Sequence, residues 1–234
     1  MAGLGHRTAV LDLSRGEMGT RGTAADRARE SAESARILRV SWRGALDLPD
    51  GHIENTRPNR LKVAAVIRML RPRVLILPYW KGRHPDHYTA SRLGYEAAFL
   101  AGLKKLDLTD TAPNLEVCAR AEPEAAGLHS AIARPHRPFK ILYASLYYDV
   151  RPTFVVDITP HFESRFQSLM AYRSQYHDQS EGAGLFPLQA EIRARTEAMA
   201  RFYGLLAGVT YAEPFVQKEV GLLDDLTAIP VRSI

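Results

Sequence analysis

Val74-Leu75-Ile76-Leu77-Pro78-Tyr79-Trp80-Lys81-Gly82-Arg83-His84-Pro85-Asp86-His87 is an apolar run, then a polar turn, then a helix start. The run is short and bounded by Pro residues, as a buried strand is. Past Pro85 the apolar residues Ala90, Leu93, Ala97 and Leu100 recur at helical spacing until Gly102, which predicts a helix over 86–102. A strand that delivers two histidines and a carboxylate to a helix N-terminus points to an open α/β sheet, where ligands sit beyond the strand ends. Imidazoles three residues apart on a first turn face the same side, and both can bind metal or move protons. A lone His-x-x-His is also compatible with plain surface polarity.

Upstream, the pattern repeats. Residues 8–13 read as a strand and 14–22 as a glycine-rich loop without dinucleotide-binding spacing. Thr23 and Asp26 suggest an approximate capping box, opening a helix to about 37. A strand near 39–42 and a Pro-initiated helix over 58–70 follow. Strand–helix alternation over the first hundred residues predicts a Rossmann-like, mostly parallel sheet flanked by helices. Residues 107–137 read as a long loop. Strands near 139–147 and 153–157, helices from Pro160 and Pro187, and a last strand near 211–216 complete the chain.

Composition narrows the function. The 234 residues are 46% hydrophobic and 24% charged, enough to bury one sizeable core. The net charge of +5 is scattered, with no basic block, so nucleic acid is not expected as a partner. No run is long enough to span a membrane. Cys118 is the only cysteine, which excludes an internal disulfide and fits a cytoplasmic protein. A metal would have to be held by His, Asp or Glu. Of the remaining histidines, only His52 has a plausible approach to the His84/His87 cluster. No G-x-S-x-G elbow is present, and Cys118 has no neighbouring His. The segment Tyr172-Arg173-Ser174-Gln175-Tyr176 reads first as structure, and the Tyr-rich segments with the C-terminal strands suggest a homo-oligomeric interface.

An ordered set of segments resembles the LmbE-like (PIG-L) zinc-dependent N-acetylglucosamine deacetylases, and among them most the bacillithiol-biosynthesis enzymes. The segments are 12–23 with Arg27 and Glu30, Leu48-Pro49-Asp50-Gly51, Glu54-Asn55-Thr56, Asn59-Arg60, 83–87, Val155-Val156-Asp157-Ile158, 172–176 and 211–215. The resemblance implies Zn2+ as cofactor, with His87 a metal ligand and His84 the catalytic group that stabilises the oxyanion and helps protonate the leaving amine. It implies that Asp86 orients and tunes His84. Arg27 and Arg83 would line the substrate pocket, suited to a carboxylate such as malate's. Asp50 and Tyr172 match more weakly, for sugar hydroxyls or loop order. The substrate so implied is a small amino-sugar conjugate, N-acetylglucosaminyl-malate.

The family's His-Pro-Asp-Asp motif, which supplies the other two zinc ligands and the general base, is absent. The expectation is one domain over 1–234, N-terminally truncated and lacking the first strand, roughly 25 residues by typical element lengths. A start assigned too far downstream is favoured over genuine truncation. As written, the chain would be impaired or inactive, and the alternative is a metal-free homologue acting in binding or assembly.

Overall fold

The computed structural model describes residues 1–111, 113–120, 128–145, 150–176 and 187–229. In chain order, the first half holds β1 (Ala9–Asp12), α1 (Ala24–Ile37), β2 (Trp42–Ala45), α2 (Arg57–Leu70), β3 (Val74–Pro78) and α3 (Pro85–Ala101). The second half holds β4 (Glu116–Arg120), α4 (Leu128–Ala133), β5 (Lys140–Ala144), β6 (Phe154–Asp157), α5 (Phe162–Met170), α6 (Arg173–Tyr176), α7 (Gln189–Leu205) and β7 (Ala212–Gln217). The α/β class is as the sequence implies. Ahead of β1, a short 3-10 turn over Ala2–Leu4 stops at Gly5, which takes φ 81°.

The strands form two mixed sheets, ordered β1-β2-β4 and β3-β5-β7-β6. β1 runs parallel to β2 and β3 parallel to β5, while β4 and β7 pair antiparallel with their neighbours. Each sheet thus presents a parallel strand at one edge, β1 in one and β3 in the other. Both edges lean on one core: Leu11 of β1, Leu13 just beyond it and Leu75 of β3 pack against the cluster built largely by α2 and α3. α2 is buried over six consecutive residues, Val63–Arg68, which is why its sequence reads apolar on more than one face. Arg68 is 1% exposed and donates to the carbonyls of Ala101, Leu103 and Ile132, so it ties off the ends of α3 and α4.

Residues 107–137, expected to be a loop, contain β4 and α4. Glu116–Arg120 is short and mixed in composition, with no alternation to mark it, and the antiparallel pairing with β2 decides it. β2 begins three residues later than the sequence suggests, because Val40 and Ser41 serve the turn that hands α1 back to β1. Among the described residues no helix is long and apolar enough to cross a membrane.

Candidate active site

The C-terminal ends of β1 and β3 converge on one cavity of ≈ 460 Å³. β1 releases the chain at Asp12 into the glycine-rich loop. β3 releases it at Pro78 into the turn that carries His84. His84 is the N-cap of α3, and its Nδ1 accepts from the Asp86 backbone N–H at 3.2 Å. Pro85 follows in the first turn, where its missing N–H costs nothing. One turn on, the His87 ring stacks on the His84 ring with centroids 5.0 Å apart. Both histidines line the cavity. Burial, and then the neighbouring His84, lower the His87 pKa, so its imidazole stays neutral further into the acid range.

Asp86 is 6% exposed, and its carboxylate accepts from the backbone N–H groups of Gly51 at 2.7 Å and Ile53 at 3.2 Å. The role implied by resemblance, orienting the His84 ring, is therefore not the one its oxygens perform. They fasten the 50–53 turn to α3, because a buried carboxylate takes the nearest unpaired donors. Asp50, in that turn, accepts from the Ser14 hydroxyl and the Met18 N–H, both at 3.1 Å, so it orders the glycine loop. The two turns and α3 form one hydrogen-bonded wall.

α1 supplies the opposite wall. Thr23 and Asp26 complete a reciprocal capping box. One turn on, Arg27 lies under the loop: a Cβ on Gly19 would stand 2.9 Å from its Nη2, and one on Gly16 3.6 Å from its Cγ. The loop is glycine-rich here because the guanidinium occupies the space. The Arg27 Nε is buried without a hydrogen-bond partner. Glu30 accepts from the Ser174 N–H at 2.6 Å and hydroxyl at 2.9 Å, pinning the 172–176 segment to α1. Tyr172 reaches the cavity and shares a 3.2 Å hydrogen bond with the Ser31 hydroxyl.

Three further residues belong to this site. Arg43 of β2 binds Asp12 of β1 with both Nε and Nη2, at 2.7 and 3.0 Å, across the floor of the cavity. Burial works against the Arg43 charge, but the hydrogen bonds and charge of Asp12 prevail and hold its pKa up. Asp12 falls within the segment that carries the resemblance. Nothing in the sequence marks Arg43, because the pairing depends on strand register. Cys118 also lines the cavity, from β4 and not from a loop, and burial pushes its thiol pKa up. Arg83 does not come in: it stands exposed just before the cap and outside the cavity wall, since the chain turns at Pro85. His52 is likewise exposed and apart from the cavity, and His177 lies outside the described residues.

The residues present do not fit a complete zinc site. His84 and His87 offer two imidazoles, while the Asp86 oxygens are spent on backbone donors. Among the described residues no group of three His, Cys, Asp or Glu side chains could hold a metal ion. A catalytic zinc takes about three protein ligands.

The strand-end cavity of this α/β chain thus carries paired imidazoles on one wall and an arginine on the other. The profile of the PIG-L family, GlcNAc-PI de-N-acetylase, matches residues 1–98. A diacetylchitobiose deacetylase of Thermococcus kodakarensis is 30% identical over 202 residues, 85% of this chain. The chain spans 64% of that relative's length. The crystal structure of the conserved protein TT1542 from Thermus thermophilus superposes with a TM-score of 0.75 at 34% identity, covering 96% of this chain and 87% of the other. An inhibitor complex of N,N'-diacetylchitobiose deacetylase from Pyrococcus horikoshii shares the fold, with a TM-score of 0.71 at 24% identity over 92% of this chain and 73% of that one. Over its first 98 residues the chain is thus similar to the PIG-L family.

Proposed function

We propose that this protein hydrolyses the acetamide of an N-acetylglucosamine-type sugar, adding water across the C–N bond to give acetate and a free amine. The observation that carries the reading is the pair of stacked imidazoles at the head of α3, facing Arg27 across the cavity at the strand ends. The deacetylase named among its relatives supports the substrate class. In this reading His84 steadies the developing oxyanion and hands a proton to the leaving amine. Arg27 pairs with an anionic group of the substrate. Tyr172 meets sugar hydroxyls, and Asp50 acts through loop order. N-acetylglucosaminyl-malate is the substrate we infer, since a cavity arginine suits the malate carboxylates.

Zinc dependence enters the proposal from resemblance alone. His87 is the residue of this chain that would ligate the ion. The same reading makes residues 1–234 part of one domain in a cytoplasmic enzyme, consistent with a lone free thiol.

The test is acetate release from N-acetylglucosaminyl-malate and N,N'-diacetylchitobiose by protein purified from its native source. His84→Ala and His87→Ala should each lose at least about 100-fold in kcat/KM, as loss of one acid–base group does. Undiminished turnover in both variants overturns the assignment. A second reading, a binding protein without hydrolysis, is favoured by the commitment of Asp86 to the backbone. It predicts no stoichiometric zinc in the native protein and tight binding of the sugar without acetate release.

A further inference from the structure

Two arginines that line the strand-end cavity, Arg15 and Arg27, each hold a buried Nε with no hydrogen-bond partner among the described residues. A buried N–H left unpaired costs free energy, so a wall that keeps two of them is shaped for a ligand that accepts. The two side chains are neighbours. Arg15 opens the glycine-rich loop, and Arg27 lies under the next residue: a Cβ on Gly16 would stand 3.7 Å from the Arg27 Nε.

The nearby carboxylates are otherwise engaged. Asp12 takes Nε and Nη2 of Arg43, Asp50 takes Ser14 and Met18, and Asp86 takes Gly51 and Ile53. Glu17 accepts from the backbone N–H groups of Arg15 and Asp50, at 3.2 and 2.9 Å. Of the carboxylates that line the cavity among the described residues, that leaves Glu116. Its Oε2 lies 3.3 Å from the Arg15 Nε, near enough for an ion pair but out of line for a hydrogen bond. The pair stands at the rim, with side chains 39% and 47% exposed. An ion pair so open to water contributes little, so Glu116 can yield Arg15 at small cost.

Strand register places the pair. Asp12, Ala45 and Glu116 stand in one row across β1, β2 and β4. Arg15, three residues past Asp12, reaches over the end of β2 to β4, two strand spacings or about 10 Å away. The imidazoles come from the other sheet, on α3 after β3. A ligand that meets the imidazoles with one end can therefore meet the two arginines with the other.

We propose that Arg15 and Arg27 form a two-point clasp for a dicarboxylate, one carboxylate to each guanidinium, and that Glu116 is the internal counter-ion the ligand displaces from Arg15. The proposal rests on the hydrolytic reading for the sugar end of the ligand and adds the charge of the group that the sugar carries. A guanidinium pairs with a carboxylate through two parallel N–H groups, and the edge that includes Nε is the one left open here. A dicarboxylate such as malate satisfies both points, and a monocarboxylate only one.

Calorimetric titration of the whole chain with two deacetylated conjugates, glucosaminyl-malate and glucosaminyl-lactate, tests this without turnover. The malate conjugate should bind at least about 10-fold more tightly, as one further charge-assisted pair gives. Arg15→Met should bring the malate conjugate down to the affinity of the lactate conjugate. Glu116→Gln should act in the opposite sense and tighten the malate conjugate about 2- to 5-fold, the worth of a part-exposed ion pair. Both side chains reach solvent, so both variants should keep the wild-type circular dichroism. Equal affinity for the two conjugates in the wild type, a malate preference that survives Arg15→Met, or weaker binding of the malate conjugate by Glu116→Gln each overturns the clasp. A malate preference that is lost in Arg15→Met, in a protein that releases no acetate, would support the clasp and overturn the hydrolytic reading.

Discussion

Replacing Asp86 with alanine removes the carboxylate that hydrogen-bonds α3 to the 50–53 turn. The carboxylate is 6% exposed and accepts two backbone N–H groups, at 2.7 and 3.2 Å. Hydrogen bonds to a charged group contribute about 1.5–3 kcal/mol each, and removing the acceptor leaves two part-buried donors unpaired. The expected loss is therefore about 3–5 kcal/mol, a large share of the roughly 5–15 kcal/mol available to a domain. Urea unfolding followed by tryptophan fluorescence measures it, with Tm falling on the order of 10 °C. Asp86→Asn should lose less, because one acceptor oxygen remains. Asp50 rides on the same turn, so the glycine loop should also loosen and become cleavable by proteases between 14 and 22. A loss under about 1 kcal/mol in Asp86→Ala would refute the assignment of Asp86 as the fastener of this wall.

Gly22 has φ 73°, and a Cβ there would stand 2.5 Å from the Ser174 Oγ, so Gly22→Ala should cost about 1–3 kcal/mol in urea melts; a change within 0.5 kcal/mol (about the noise of a surface substitution) contradicts the packing. Arg43→Met leaves Asp12 without its bidentate partner, and a double-mutant cycle with Asp12→Asn should give a coupling of about 1–3 kcal/mol; additivity would show the pair to be idle. Burial raises the Cys118 pKa, so iodoacetamide at pH 8 should alkylate the folded protein at least about 10-fold more slowly than the urea-unfolded chain, and equal rates would place the thiol outside the cavity wall.

Much of this fold is readable from local chemistry. The helices α1, α2 and α3 fall within a residue or two of where Thr23, Pro58 and Pro85 predict starts and where Ile37, Arg71 and Gly102 predict stops. These signals act within one turn of chain, so no tertiary partner is needed to see them. β4 and Arg43 were hidden for the opposite reason. Glu116–Arg120 is a strand only because β2 offers an antiparallel edge, and Arg43 enters the site only because Val10 and Arg43 stand in register, which sets Asp12 diagonally across. Asp86 shows a third limit. The resemblance implies that it tunes His84, but its carboxylate accepts from the 50–53 turn, a partner more than thirty residues away.

The central claim is that the imidazoles at the head of α3 serve amide hydrolysis of an N-acetylated amino sugar. Acetate release from N-acetylglucosaminyl-malate and N,N'-diacetylchitobiose, measured side by side for native-source protein and its His84→Ala variant, tests it most directly. Stoichiometric acetate and free amine are expected from the native protein, with the malate conjugate the faster, and a loss of at least about 100-fold in kcat/KM for the variant. Release of no acetate by the native protein, or equal release by the variant, would contradict it.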